Sequence, residues 1–211
     1  MRRKEFAVED DREVEQFLRE MSFGFLGTVG ADGWSRVTPL NFVYDGRCFY
    51  FHGSLSGEKM KHLKQDPRVS FTVAKEYAII PSYFTDPQLA CPATAFFKSV
   101  MVRGLAEPVQ SPEEKAAALT LFMQKLQPEG EYDPITVEDP KYIGQLKAVS
   151  LYKIVPEEIS AKFKFGQNLN EDRFSNIVAG LEHRNLELDS ETAALMKRFC
   201  PKHAGGAPGN T

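Results

Sequence analysis

The sequence is short of cysteine and tryptophan, has no long apolar run, and carries no large excess of either charge. Its three cysteines, Cys48, Cys91 and Cys200, are odd in number and widely spaced. They form no CxxC pair and no zinc-ligand pattern, so the expected state is reduced thiol in a cytoplasmic protein. No stretch reaches the length of a membrane span, and the opening MRRKEFAVEDD lacks an apolar signal core, so neither membrane insertion nor secretion is expected. A formal net charge of −3 gives no global pull toward nucleic acid or an anionic membrane. The chain also lacks a GxGxxG fingerprint and a Walker A loop. What it has in quantity is phenylalanine, 16 residues in 211, which suits a β-rich core or a pocket for a flat ring. At 211 residues, 42% of them apolar, the chain is long enough to bury a core as one domain, or as one domain with an appendage.

The most informative stretch is Phe49 to Lys59, FYFHGSLSGEK. Phe49 and Phe51 fall on one face of an extended segment, with Tyr50 and His52 on the other. Gly53-Ser54-Leu55-Ser56-Gly57 then breaks the strand, and Glu58 to Gln65 reads as a short helix with Met60 and Leu63 inward. A Ser/Gly-rich turn entering a helix offers free N–H groups and the positive end of the helix dipole, and Lys59 adds a full charge. That combination suits a phosphate monoester. The alternative is that Ser56 caps a surface helix on which Lys59 and Lys61 are solvated.

Around this turn the pattern is mostly β. Val14, Phe17, Leu18 and Met21 predict a first helix by their i, i+3, i+4, i+7 spacing. Extended runs follow at 23–30, 34–44 and 47–53, separated by the turn pairs Asp32-Gly33 and Asp45-Gly46. A fourth strand holds Val69, Phe71 and Val73, a fifth spans 96–106, and a sixth spans 149–165 with an interruption at Pro156. Residues 79–94, with three prolines, read as a long ordered loop, and His62 as a surface residue. Ser111-Pro112-Glu113-Glu114 is a capping box, and the helix after it is expected to bury Leu119, Phe122, Met123 and Leu126. A further short helix is expected at 139–146. Helices at Phe174 to Leu181 and Glu191 to Phe199 close the chain. Pro39 cannot donate to a ladder, so it marks a sheet edge or a split in the wall. The expected fold is mainly β, a six-stranded antiparallel split β-barrel with C-terminal helices. Its expected parts are a barrel over 1–165, a helical extension over 166–203 and a disordered tail over 204–211.

Arg36-Val37-Thr38-Pro39-Leu40, Tyr50-Phe51-His52, Gly57-Glu58-Lys59, Asp66-Pro67-Arg68-Val69 and Lys98-Ser99-Val100-Met101-Val102-Arg103-Gly104 occur in order. Together they resemble the pyridoxamine 5′-phosphate oxidase-like FMN-binding split barrels, and within them the nitroimidazole-resistance (Nim-type) flavoproteins. Lys162-Phe163-Lys164-Phe165-Gly166-Gln167-Asn168, followed by Glu171-Asp172-Arg173, is similar to a related branch that includes proteins named as negative transcriptional regulators of protease production. The resemblance implies a homodimer with FMN, or FAD in its place, at the subunit interface. It implies that Thr38, Pro39, Leu40 and Asn41 run past the flavin ring. Phe51, His52, Gly53, Ser54, Gly57 and Lys59 would reach the ribityl chain and phosphate, and Lys98 and Ser99 would face the flavin. One departure is that true oxidases of this type carry Arg-Lys at the helix start, where this chain has Glu58-Lys59.

On that resemblance the expected activity is an FMN-dependent oxidoreductase of the nitroreductase or flavin-reductase type. Hydride would come from a transient NAD(P)H and pass to a small-molecule acceptor, with His52 as a candidate proton donor. The rival is a non-enzymatic regulator or sensor that binds flavin or haem, with His52 as the candidate axial ligand. Lys98 sits on an apolar face, which marks an interface or a ligand, and Ser99 is open between a core hydroxyl and a ligand contact. Lys162, Lys164, Gln167 and Asn168 either close over the site or form a basic strand end. Direct binding of nucleic acid is not expected, because the last helices carry many acids and no basic recognition face.

Overall fold

The structure is a computed structural model and describes residues 3–54 and 56–200. The expected tail at 204–211 lies outside the described residues. In chain order the elements are β1 (Ala7–Val8), α1 (Asp11–Glu20), β2 (Phe23–Val29), β3 (Ser35–Asn41), β4 (Val43–Tyr44), β5 (Phe49–Gly53) and α2 (Glu58–Gln65). Then come β6 (Arg68–Ile80), β7 (Thr94–Pro108), α3 (Pro112–Leu126), α4 (Pro140–Ala148), β8 (Ser150–Lys164), α5 (Glu171–Arg184) and α6 (Asp189–Phe199). One sheet takes the order β3-β2-β6-β7-β8-β5-β4, with β1 beside β8. Among the described residues eight strands stand where six were expected. The two extra ones, Ala7–Val8 and Val43–Tyr44, are each two residues long, too short for alternation to reveal. Among the described residues no helix is long and apolar enough to cross a membrane.

The chain forms two compact units. One holds Asp10–Val73 and Val100–Ser160; the other holds the described residues of Met1–Glu9, Ala74–Ser99 and Ala161–Thr211. In the first, Gly33 (φ 78°) and Gly46 (φ 95°) make the two expected turns. The expected run 34–44 divides at Phe42, whose N–H donates to Ser22 O at 3.1 Å while its ring joins Phe49 and Phe71 in the core. Strand β3 pairs with β2 and ends the strand order, so Pro39, opposite Phe25, does stand on an edge.

Two burial expectations need correction in this unit. Leu126 is 57% exposed, and the buried side of α3 is Lys115, Ala116, Ala118 and Phe122. An alanine-rich helix has two possible stripes, and hydrogen bonds choose between them. Lys115 Nζ donates to Leu146 O and Val149 O, both at 2.9 Å, and so is buried with its charge satisfied. His62 is buried rather than on the surface, because its Nδ1 bonds Thr28 Oγ1 at 3.0 Å where α2 packs on β2.

Strand β8 runs unbroken through Pro156, against expectation. Gly104 lets the neighbouring chain approach there. A Cβ on Gly104 would overlap the Val155 carbonyl oxygen and stand 3.0 Å from Pro156 Cα. Both obstacles are backbone and cannot swing aside. Gly104→Ala is therefore expected to destabilise the protein by about 3 kcal/mol, read from the urea midpoint. A loss below about 0.5 kcal/mol would show that the two strands are not this close.

In the second unit, Phe165 lies 5.4 Å from Tyr77 and stacks at 5.5 Å on Phe199. Phe174, Ile177, Val178 and Leu181 are all buried, as their spacing predicts. The loop between β6 and β7 is ordered, with a 3-10 turn at Ser82–Phe84 and the Asp86 carboxylate accepting from the N–H groups of Gln88 and Leu89.

Candidate functional site

The turn between β5 and α2 retains its claim to an anion. Gly57 caps α2 in extended backbone (φ 162°, ψ 165°) without any side-chain hydrogen bond, so Ser56 is not the cap. Among the described residues no side chain caps the first turn of α2, which leaves its N–H groups for a ligand. Ser54 Oγ accepts from Ser56 N at 3.3 Å and shapes the turn.

Lys59 is half-buried. Its Nζ lies 5.1 Å from the centroid of the Phe51 ring, and among the described residues no carboxylate pairs with it. Burial pushes its pKa below the ordinary lysine value. Gly53 makes room for it, since a Cβ there would stand 3.2 Å from Nζ. The result is a cation held against a ring beside a side-chain-free backbone, a cradle that fits a phosphate.

The neighbouring acid is neutralised. Glu58 Oε1 accepts from Arg36 Nε at 3.2 Å and stands 3.8 Å from His62 Nε2, while Arg36 Nη2 meets Asp32 Oδ2 at 2.8 Å. By sequence, Glu58 stands where the resemblance would put a cation, and Arg36 lies 22 positions away. The structure joins them, with Arg36 drawing the carboxylate to its own side. An open groove of about 860 Å³ lies here, lined among others by Arg36, Ser56, Gly57, Glu58, Lys61 and His62.

The other expected residues divide between the units. Thr38, Pro39, Leu40 and Asn41 lie on the edge strand β3, which packs on β5; Leu40 is buried, and Asn41 Nδ2 donates to Ser22 O at 3.0 Å. His52 is exposed, and its ring meets Phe122 edge-on at 5.1 Å. Strand alternation puts it on the face of β5 opposite Phe51, which stacks on Tyr152 and carries Lys59. Lys98 and Ser99 belong to the other unit. Lys98 is buried between the rings of Tyr77 (5.3 Å) and Phe163 (5.1 Å), and Ser99 Oγ donates to Lys162 O at 3.5 Å.

In the KFKFGQN segment, Gln167 works on its own backbone. Its Oε1 accepts from Phe165 N at 2.8 Å and its Nε2 donates to Phe163 O at 2.6 Å, while Gly166 takes φ 87°. The network of Thr28, His62, Glu58, Arg36 and Asp32 was missed in sequence because its members lie up to 34 positions apart. The only available signal was the polar Thr28 in an otherwise apolar β2.

The chain is similar to several known proteins. A family model described as pyridoxamine 5′-phosphate oxidase matches residues 10–163. The chain is 26% identical over 203 residues to the protease synthase and sporulation protein PAI 2 of Bacillus subtilis (strain 168), covering 92% of this chain and 95% of that one. Among solved structures it resembles the flavocytochrome Anf3 of Azotobacter vinelandii, with TM-score 0.61 and 26% identity over 75% of this chain and 69% of that one. It also resembles a candidate 5-nitroimidazole antibiotic resistance protein of Bacteroides thetaiotaomicron, with TM-score 0.60 and 20% identity over 74% and 85% of the two chains. The shared fold is the antiparallel split barrel with peripheral helices.

Proposed function

We propose a flavin-dependent redox function from one premise: this chain belongs to the pyridoxamine 5′-phosphate oxidase family. The observation that carries the proposal is Lys59, a half-buried ammonium over Phe51 beside Gly53, with no carboxylate partner among the described residues. Lys59, the backbone of Gly53, Ser54 and Gly57, and the open N–H groups of α2 would hold the cofactor's phosphate, with FMN the better match to a single phosphate cradle. Thr38 to Asn41, on a strand that ends the hydrogen-bonded order among the described residues, would present their backbone to the ring. When bound, the flavin supplies hydride transfer between NAD(P)H and a small acceptor. The chain's own contribution is to bind and orient it. Arg36 keeps the Glu58 carboxylate from opposing the phosphate. Lys98 and Ser99 have packing roles within their own unit, and this reading does not require them. We place a second copy of the chain on the β2–β3 face, where Phe23, Phe25, Val29 and Val37 are exposed side by side.

A second reading is a flavin- or haem-binding regulatory protein. The likeness to PAI 2 along nearly the whole chain favours it, as does the resemblance to a flavocytochrome. Exposed His52, on the far face of β5 from Lys59, would be the haem ligand in that case.

The deciding experiment is a visible spectrum of freshly purified protein, followed by release and chromatography of any chromophore. Flavin bands with released FMN, bleached by NADH or NADPH, are expected, and light scattering of the same sample should report a dimer. A Soret band favours the second reading. A colourless protein that takes up neither FMN nor FAD sinks both flavin readings.

A further inference from the structure

The unit formed by Ala74–Ser99 and the described parts of Met1–Glu9 and Ala161–Thr211 contains a cavity of its own, about 460 Å³ in volume. That size lies within the roughly 300–1,000 Å³ of small-molecule pockets. Among the described residues its lining includes Arg3, Lys162, Lys164 and Arg173 but no Asp or Glu. The walls are partly aromatic, with Phe6, Phe96 and Phe97.

The local sequence explains the arrangement. Lys162 and Lys164 are two apart on β8, so they share a face, while Phe163 and Phe165 turn inward and are fully buried. Gly166 and the Gln167 side chain then lock the turn into α5 and so fix where the two lysines stand. The long loop before β7 supplies Thr85, Cys91, Pro92 and Ala93.

Among the described residues the two lysines here are held in place without a carboxylate partner. Lys162 Nζ lies 5.6 Å from the Phe6 centroid and 5.2 Å from that of Phe97. Two ring faces steady an ammonium but carry no net charge. Lys164 Nζ donates to Thr94 Oγ1, a neutral acceptor that leaves its other N–H groups to spare. Arg3 has a distant partner in Glu5 at 3.9 Å, and Arg173 feels Asp86 through space. Burial and the nearby positive charges of Lys162 and Arg3 push the Lys164 pKa down. An anion entering the cavity would relieve all of this.

We propose that this cavity binds a small ring-bearing anion, a carboxylate or a phosphate, with its charge beside Lys162 and Lys164 and its ring against Phe97 and Phe6. The site is separate from the β5–α2 turn and does not depend on the flavin reading.

Cys91, exposed and lining the cavity, is the reporter; Cys48, in the other unit, is the internal control. The full-length chain is alkylated with neutral N-ethylmaleimide in the presence of phenyl phosphate or benzoate, and each cysteine is followed by peptide mass spectrometry. Saturable protection of Cys91, with Cys48 unchanged, is expected from at least one of the two, and their ranking identifies the anionic group. Lys164→Gln should raise the half-protecting concentration about tenfold or more, the loss of one charge-assisted hydrogen bond. Lys162→Arg should keep the protection and Lys162→Gln should lose it, which guards against misfolding of any single variant. Lack of protection by either anion overturns the proposal, as does protection undiminished in both glutamine variants. Equal protection by neutral benzyl alcohol overturns the charge recognition, and equal protection by inorganic phosphate overturns the ring.

Discussion

Lys59→Ala is expected to lower flavin affinity by roughly 10- to 100-fold, the loss of one charge-assisted contact worth about 1.5–3 kcal/mol. The apo protein should lose little, because among the described residues Lys59 has no ion pair to break. Burial pushes its pKa below the ordinary value, so the folded chain holds the charge less readily than the unfolded chain. As pH rises from below the folded pKa toward the ordinary 10.5, the unfolded state carries more protons at this site. Stability of the apo protein therefore rises across that window. A bound phosphate acts the other way, since it favours the ammonium, and flavin affinity should fall as the lysine deprotonates. Lys59→Met separates charge from packing by retaining the stem against Phe51. Equilibrium titration of apo protein with FMN by fluorescence quenching checks both variants. If Lys59→Met binds FMN as tightly as the parent, the phosphate does not sit at this turn.

Asp189→Asn should have the largest effect on stability, about 3–5 kcal/mol, because it strips the partner from a buried ion pair. Asp189 is 2% exposed. Its carboxylate accepts from Arg184 Nε at 2.8 Å, Arg184 Nη2 at 2.6 Å and Leu186 N at 2.9 Å. Arg184 in turn donates to Ile79 O at 2.8 Å, so the pair fastens the turn between α5 and α6 to the end of β6. An amide in place of the carboxylate leaves the partly buried guanidinium without its counter-charge. The melting temperature should fall by roughly 2–4 °C for each kcal/mol lost.

The pH dependence follows from the direction of the shift. The Arg184 hydrogen bonds hold the Asp189 pKa below its ordinary 3.8. Its contribution is complete above that value and is lost as pH falls through the lower, folded one. The gap between parent and Asp189→Asn should therefore narrow in acid, below about pH 4. A gap that stays constant from pH 7 to pH 3 would mean that the pair contributes nothing through its charge.

Much of this was written in local sequence. The Asp32-Gly33 and Asp45-Gly46 turns needed only positive φ, and the structure places both glycines there. The capping box needed only Ser111 three residues before Glu114, whose N–H donates to it at 3.1 Å. The face of α5 and the start of α2 followed from spacing, and Pro39 announced an edge because it has no N–H to share. These features depend on a residue and its near neighbours, which is the range over which periodicity and turn chemistry operate.

Other features required distant segments to meet. Whether α3 buried Leu126 or Lys115 was settled by two carbonyl groups more than 30 positions away. His62 was buried by Thr28 across α2 and β2, and Glu58 was neutralised by Arg36 from β3. The same holds for Lys162 and Lys164, which the sequence left open between closing over the site and forming a basic strand end; Thr94, 70 positions upstream at the start of β7, accepts from Lys164, and the loop before it lines a cavity with both lysines. Charge and polarity are visible residue by residue, but their cost depends on which partner solvates them. That partner is chosen by tertiary contact, so a sequence can show that a cation is present and only the fold can show whether it is already satisfied.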